Sequence, residues 1–149
     1  MKRILIIHGP NLDRLGIREP EVYGTETLAE LNEALRKAGL AWNLETEFFQ
    51  SNHEGELVER LHGAKESGVD GILLNPGGLA HTSVVLRDAI AGALLPVVEV
   101  HLSNTHARES FRRIHLTASA CRGVIAGLGR VSYLAGLYAL GEILADPAR

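Results

Sequence analysis

Cysteine is almost missing from this chain: Cys121 is the only one in 149 residues, which rules out an internal disulfide framework. Positive charge is not in excess either. Fifteen Lys and Arg against 18 Asp and Glu leave a formal net charge of −3, so no basic field gathers nucleic acid or an anionic membrane surface. Apolar runs are short, and none reaches the ~18 uninterrupted positions of a membrane-spanning helix. A charged start followed by an apolar signal stretch is also missing, and the expectation is a soluble protein of the cytoplasm with a small-molecule partner. Lysine is scarce; Lys2, Lys37 and Lys65 are expected at one sheet edge or on helix surfaces, which disfavours Schiff-base chemistry. Neither a G-x-G-x-x-G after the first apolar run nor a Walker lysine is found, so nucleotide binding is disfavoured. No paired acids follow that run, which counts against a receiver-type phosphorylation switch.

What is present fits one domain over residues 1–149, the usual size for a single core. No repeat, linker or low-complexity tract interrupts it. Apolar segments of two kinds alternate. Short runs rich in branched residues read as strands over Arg3 to His8, Leu40 to Gln50, Asp70 to Asn75, Pro96 to His101 and Gly123 to Leu128. Between them the spacing of Leu28, Leu31, Leu35 and Ala38, and later of Leu57, Leu61 and Ala64, predicts helices. The first runs from about Thr25, a candidate cap, to a stop at Gly39; the second covers Glu54 to Ser67. A third covers Ser83 to Ala93, with Thr82 or Ser83 as cap. Val131 to Ala145 forms a last helix, apolar nearly all round and therefore expected to be covered on more than one side. Five strand–helix alternations predict an α/β fold: a flavodoxin-like five-stranded parallel sheet in the order 2-1-3-4-5 with helices on both faces.

That order gathers the strands' carboxyl ends along one edge, with a crevice where the winding reverses between the first and third strands. Two unusual connections emerge there. Gly9 to Gly24 is much longer than the about two to six residues usual for a strand-to-helix loop, and it carries Asn11, Arg18, Glu19 and Tyr23. Asn75 to Ser83 contains Pro76, Gly77 and Gly78, which let a ligand approach the backbone; an ordinary turn is the competing account.

The central strand ends in Glu99-Val-His101. Residues two apart on a strand face the same way, so Glu99 can hold the His101 imidazole. A core histidine satisfied by an acid is the bland alternative. Oriented by Glu99, His101 suits proton transfer near neutral pH. Tyr23 becomes a usable base if an arginine favours its phenolate, and Arg18 is the candidate. Arg108 and Arg112 would share a face if Ala107 to Arg113 is a helical turn; a solvated basic face is the alternative. Glu99, His101 and His106 supply candidate metal ligands, but their spacing matches no zinc signature, and no metal is expected.

Several motifs together resemble type II 3-dehydroquinate dehydratase: HGPNLDRLGIREPEVYG over 8–24, FQSNHEGEL over 49–57, NPGGLAHTS over 75–83, LRDA over 86–89, VEVHLSN over 98–104 and RESFR over 108–112. The resemblance covers nearly the whole chain. It implies trans elimination of water from 3-dehydroquinate through an enolate to 3-dehydroshikimate, without metal or organic cofactor, in aromatic biosynthesis or quinate breakdown. It further implies that Tyr23 is the base, with Arg18 supporting its charge, and that His101 is the acid, oriented by Glu99. Asn11 would hold a water or the enolate. Asn75 and the backbone amides of Leu102 and Ser103 would receive the substrate carboxylate, and His81 and Arg112 the ring hydroxyls. Asp88 would reach in from a neighbouring subunit of a dodecamer built from trimers. The chain departs from the family pattern at His8 and Asp13, where asparagine is frequent, at Leu79, where an aromatic residue is common, and at His115, where serine is expected. A non-catalytic flavodoxin-like binding or regulatory domain is the alternative function.

Overall fold

Side-chain alternation in the first strand decides the architecture. In β1 (Lys2–His8), Ile4 and Ile6 point to one side, Leu5 and Ile7 to the other, and all four are completely buried. Each such side chain contributes about 1.5–3 kcal/mol when removed from water, so the strand is stable only with helices on both faces. The computed structural model describes residues 1–146 and 148, and it has that arrangement. β1 lies between β2 (Leu44–Gln50) and β3 (Gly71–Asn75), followed outward by β4 (Val97–His101) and β5 (Gly123–Ala126), in an all-parallel sheet of order β2-β1-β3-β4-β5. The expected order is therefore the observed one.

A four-residue helix, α1 (Pro20–Tyr23), interrupts the long first connection. α2 (Leu28–Ala41) and α5 (Arg130–Ala145) cover one face, where Leu31, Leu35, Leu137 and Leu140 meet Ile4, Ile6, Leu73 and Val98. α3 (Glu54–Gly63) and α4 (Val84–Gly92) cover the other, where Leu57, Leu61, Leu86 and Ile90 meet Leu5, Ile7, Ile72 and Leu74. Among the described residues no helix is long and apolar enough to cross a membrane.

Several boundaries differ from those expected. α2 begins after Thr27, not Thr25, because only Thr27 has a glutamate three residues on: its hydroxyl accepts from the Glu30 amide at 3.2 Å and donates to the Glu30 carboxylate at 3.1 Å. The helix passes through Gly39 and ends near Asn43, whose left-handed φ of 59° breaks the run, so Leu40 and Ala41 are helical and β2 starts at Leu44. α3 stops at Gly63, and a turn to Gly68 (φ 86°) replaces its predicted last residues. Ser83 is the cap of α4, accepting from the Leu86 amide at 2.9 Å, and its hydroxyl donates to Glu54 at 2.7 Å, which ties the starts of α3 and α4 together. Ala107 to Arg113 is not one helical turn: two separate 3-10 turns, Thr105–Ala107 and Ser110–Arg113, flank an extended Arg108.

Candidate active site

The two unusual loops meet because glycine lets them. Gly9 follows β1, and a Cβ there would lie 2.7 Å from the Pro76 carbonyl oxygen; the Gly9 amide instead donates to the Asn75 carbonyl at 2.8 Å. Gly77 returns the contact with φ +59°, where a Cβ would lie 3.0 Å from the Pro10 oxygen. Crossing in this way, the loops wall a cavity of about 180 Å³ at the carboxyl edge of β1, β3 and β4. The segment beyond β4 supplies the third wall, and both Tyr23 and His101 line the space.

Glu99 and His101 face one side of β4, as their spacing requires. Glu99 is wholly buried, and its Oε2 accepts from His101 Nε2 at 2.8 Å. It does not serve that histidine alone. The same oxygen accepts from His115 Nδ1 at 3.0 Å, and Oε1 accepts from the Thr117 hydroxyl. Burial opposes the Glu99 charge, but the hydrogen bonds from His101 and Thr117 outweigh it and hold the carboxyl below its usual range. Glu99 is therefore a carboxylate at neutral pH. With Nε2 occupied, Nδ1 is the His101 nitrogen left for a molecule in the cavity. Burial, followed by the neighbouring His101, pushes His115 below its ordinary value, although Glu99 acts the other way.

Tyr23 is held at the end of α1 by two guanidinium groups. Arg18 lies with its Cζ 5.0 Å from the ring centroid, as the arginine expected from sequence, but it does not bond the phenol oxygen. Arg108 does: Nη1 donates to Tyr23 Oη at 2.8 Å and to Ser103 Oγ at 3.2 Å. Glu19, at a left-handed φ of 41°, pairs with Arg18 at 3.3 Å and with Arg108 at 4.0 Å, which links the long loop to the segment after β4. The Tyr23 ring and its oxygen thus lie against two guanidinium groups, Arg18 over the ring and Arg108 on both ring and oxygen.

The remaining polar residues form a cradle. Asn75 is buried; its carboxamide oxygen accepts from the Gly77 amide at 3.0 Å, and it also bonds Tyr133 of α5. Tyr133 in turn bonds His8 Nδ1 at 2.9 Å, while His8 Nε2 meets Asn32 at 2.8 Å. Burial drives His8 down to about 4, so this ring is neutral and structural. Asn11 lines the cavity from a left-handed conformation (φ 72°), its amide bonded to Asn52 at 2.9 Å. Leu102 and Ser103 line it where β4 ends, and His81 and Arg112 close the side, His81 fixed by the Ile114 carbonyl at 2.8 Å and Arg112 paired through Nε with Glu109.

Of the residues singled out from sequence, Asn11, Arg18, Tyr23, Asn75, His81, His101, Leu102, Ser103 and Arg112 all line this one cavity, with Glu99 behind His101. Asp88 does not: it is exposed on α4, beside Arg87 at 3.3 Å, away from the cavity of its own chain. His106 is exposed and does not join the grouping suggested for it; the third member beside Glu99 and His101 is His115. Arg108 received no role from sequence, although it opens the RESFR stretch, and its four-residue spacing from Arg112 was the available signal. Thr117 had none, since eighteen residues separate it from the carboxylate it meets. Cys121 lies outside the lining, and burial, with the charge of Glu99, raises its thiol to about 12, so it is no nucleophile.

Comparison with known proteins identifies the family. The model of the family described as dehydroquinase class II matches residues 2–141. A protein of Caldicellulosiruptor saccharolyticus named 3-dehydroquinate dehydratase is 50% identical over 144 residues, 97% of this chain and 99% of its own. Its namesake from Ralstonia pickettii is 53% identical over 137 residues, 92% of this chain and 88% of its own. The crystal structure of type II dehydroquinase from Butyrivibrio crossotus superposes with a TM-score of 0.91 at 41% identity, covering 93% of this chain and 97% of that one.

Proposed function

The chain belongs to the dehydroquinase class II family, and from that premise we propose how its cavity carries out the reaction. It is a hydro-lyase that removes water from 3-dehydroquinate to give 3-dehydroshikimate, a step of the shikimate pathway. The proton beside a ketone is weakly acidic, so elimination needs a base, a place for enolate charge and an acid for the departing hydroxide. Tyr23, as phenolate, takes the proton, with Arg108 and Arg18 opposing the charge it carries beforehand. The enolate then forms beside Asn11, which holds it directly or through a water. His101, doubly protonated, passes a proton from Nδ1 to the leaving hydroxyl, while Glu99 keeps the Nε2 proton and orients the ring. Water departs, and a proton returned from Tyr23 to His101 through solvent restores both groups. No step requires a cofactor.

Asn75 and the amides of Leu102 and Ser103 receive the carboxylate in this reading, and His81 and Arg112 the ring hydroxyls. Asp88 enters from a neighbouring chain, in a dodecamer of four trimers. Its exposure, beside Val84 and Val85 at 57% each and with Leu94 at 72%, supports such a covered face. The lone thiol is compatible with the cytoplasmic location we propose. The observation that carries the reading is the placement of Tyr23 and His101 in one cavity, each already bonded to the charged group it needs. Ultraviolet absorbance of the conjugated enone tests it. Tyr23→Phe and His101→Ala should each abolish most turnover while leaving the assembly intact; near-normal rates in either variant would remove that residue from the scheme.

A further inference from the structure

Glu99 is served by two imidazoles, whereas the proposed elimination uses one. His101 Nε2 and His115 Nδ1 converge on the same carboxylate oxygen at 2.8 and 3.0 Å, and the three candidate ligand atoms lie within 4.8 Å of one another. A four-coordinate ion with bonds of about 2.0–2.2 Å holds its ligands roughly 3.3–3.6 Å apart, so two of the three separations need to open by only about 0.3–0.8 Å. The outer partners that a metal site requires are also in place. Thr105 Oγ1 lies 3.0 Å from His115 Nε2, and Thr117 holds the second carboxylate oxygen. His101 lines the cavity, and Glu99 and His115 sit directly behind its ring, so a cation reaches the three ligands when that ring swings aside.

We propose that Glu99, His101 and His115 bind a borderline divalent cation of the Zn2+ class, and that its occupancy switches the site off by removing His101 from proton transfer. Two imidazoles and one carboxylate suit Zn2+ or Co2+; Mg2+ and Ca2+ require oxygen ligands and are not expected. From neutral rings the binding step conserves protons; from the doubly protonated His101 that the elimination uses, it also releases one proton to solvent. The Nε2 proton of His101 moves to Nδ1, and the Nδ1 proton of His115 moves to Nε2, where the Thr105 hydroxyl accepts it. Nothing is oxidised or reduced. With a cation on Nε2, His101 can no longer hold two protons, the form that protonates the leaving hydroxyl. Arg18, Arg108 and Arg112 line the same cavity and oppose a dication, so micromolar rather than nanomolar binding is expected. Binding stands on the geometry of the three ligands, and only the loss of activity rests on the role proposed for His101.

The test uses the assembled protein, stripped with chelator and titrated with Co2+, whose visible absorption reports four-coordinate nitrogen and oxygen ligation. The wild type should develop the band at one Co2+ per chain, Zn2+ should displace it, and Mg2+ should not. His115→Gln keeps an N–H for Glu99 but lacks the imidazole; it should lose the band, and roughly tenfold or more Zn2+ should be needed to slow its dehydration equally. His115→Ser provides a second variant should the glutamine disturb assembly. No band in the wild type at excess Co2+, or equal Co2+ and Zn2+ responses in wild type and both variants, would overturn the site. Stoichiometric binding with an undiminished dehydration rate would establish the site and overturn both the switch and the acid role of His101.

Discussion

Replacing Arg108 by alanine tests the least expected contact in the cavity. Arg108 Nη1 is the donor to the Tyr23 oxygen at 2.8 Å, and the arginine side chain is only 13% exposed, so the bond is neither long nor heavily screened. A hydrogen bond with one charged partner contributes about 1.5–3 kcal/mol, and each 1.36 kcal/mol is tenfold in rate, so kcat should fall about 10- to 150-fold. KM should change much less, because the lost bond supports the base rather than the bound substrate. Arg108 also touches Ser103 at 3.2 Å and anchors Glu19, so part of any loss could come from a loosened wall. Ser103→Ala separates the two causes: it removes only the Arg108–Ser103 contact, leaves the donation to the Tyr23 oxygen in place, and should lower kcat much less than Arg108→Ala does. Steady-state enone formation, read as separate kcat and KM, decides the matter. A kcat for Arg108→Ala within about threefold of wild type, or a loss confined to KM, would refute the assignment of this guanidinium to the Tyr23 oxygen.

Three further outcomes are expected. His8 is neutral in the fold because burial lowers it from 6.5 to about 4. The unfolded chain therefore takes up a proton near pH 6.5 that the folded chain refuses until about pH 4, so stability is complete above 6.5 and falls with pH across that window, by up to about 3 kcal/mol. Urea midpoints at pH 7.5 and 4.5 should show a smaller drop in His8→Asn than in wild type, and an identical drop would exclude His8 as its source. Residues 9–24, which turn at Gly16 (φ 86°) and end at Gly24 (φ 82°), should exchange amide hydrogens more slowly when a substrate analogue is present, with Arg18 carried inward; unchanged exchange would argue against closure. Sedimentation should give a mass near twelve chains, and Asp88→Ala should weaken substrate binding in that assembly. Full activity in a monomer would show that no neighbour contributes to the site.

The sequence contained the sheet and the identity of its chemistry. Unbroken apolar character in Ile4 to Ile7, helical spacing in Leu28 to Ala38 and five alternations left little freedom in topology, because apolar area must be covered on both sides of each strand. Element ends were less legible. Thr25 and Thr27 look equivalent as caps until Glu30 is paired with one of them, and Gly39 looks like a stop until Asn43 supplies the left-handed turn. Tyr23, His101 and Glu99 were legible as groups able to move protons, and their order along the chain placed them near one edge. Which charged partner each group meets was not.

That distinction has a physical cause. Pattern and propensity act over a few residues, so strand faces, helix spans and the Glu99–His101 pair follow from local spacing alone. The contact between Arg108 and Tyr23 spans 85 residues, and that between Thr117 and Glu99 spans 18; neither has a periodicity to announce it. Only the packed sheet brings those segments within hydrogen-bond reach, and only burial there makes a charge on Glu99 depend on the groups around it. The amino-acid order determined which chemistry is available, and the tertiary structure decided that Arg108 would hold the base and that a second imidazole, His115, would share the carboxylate of the acid.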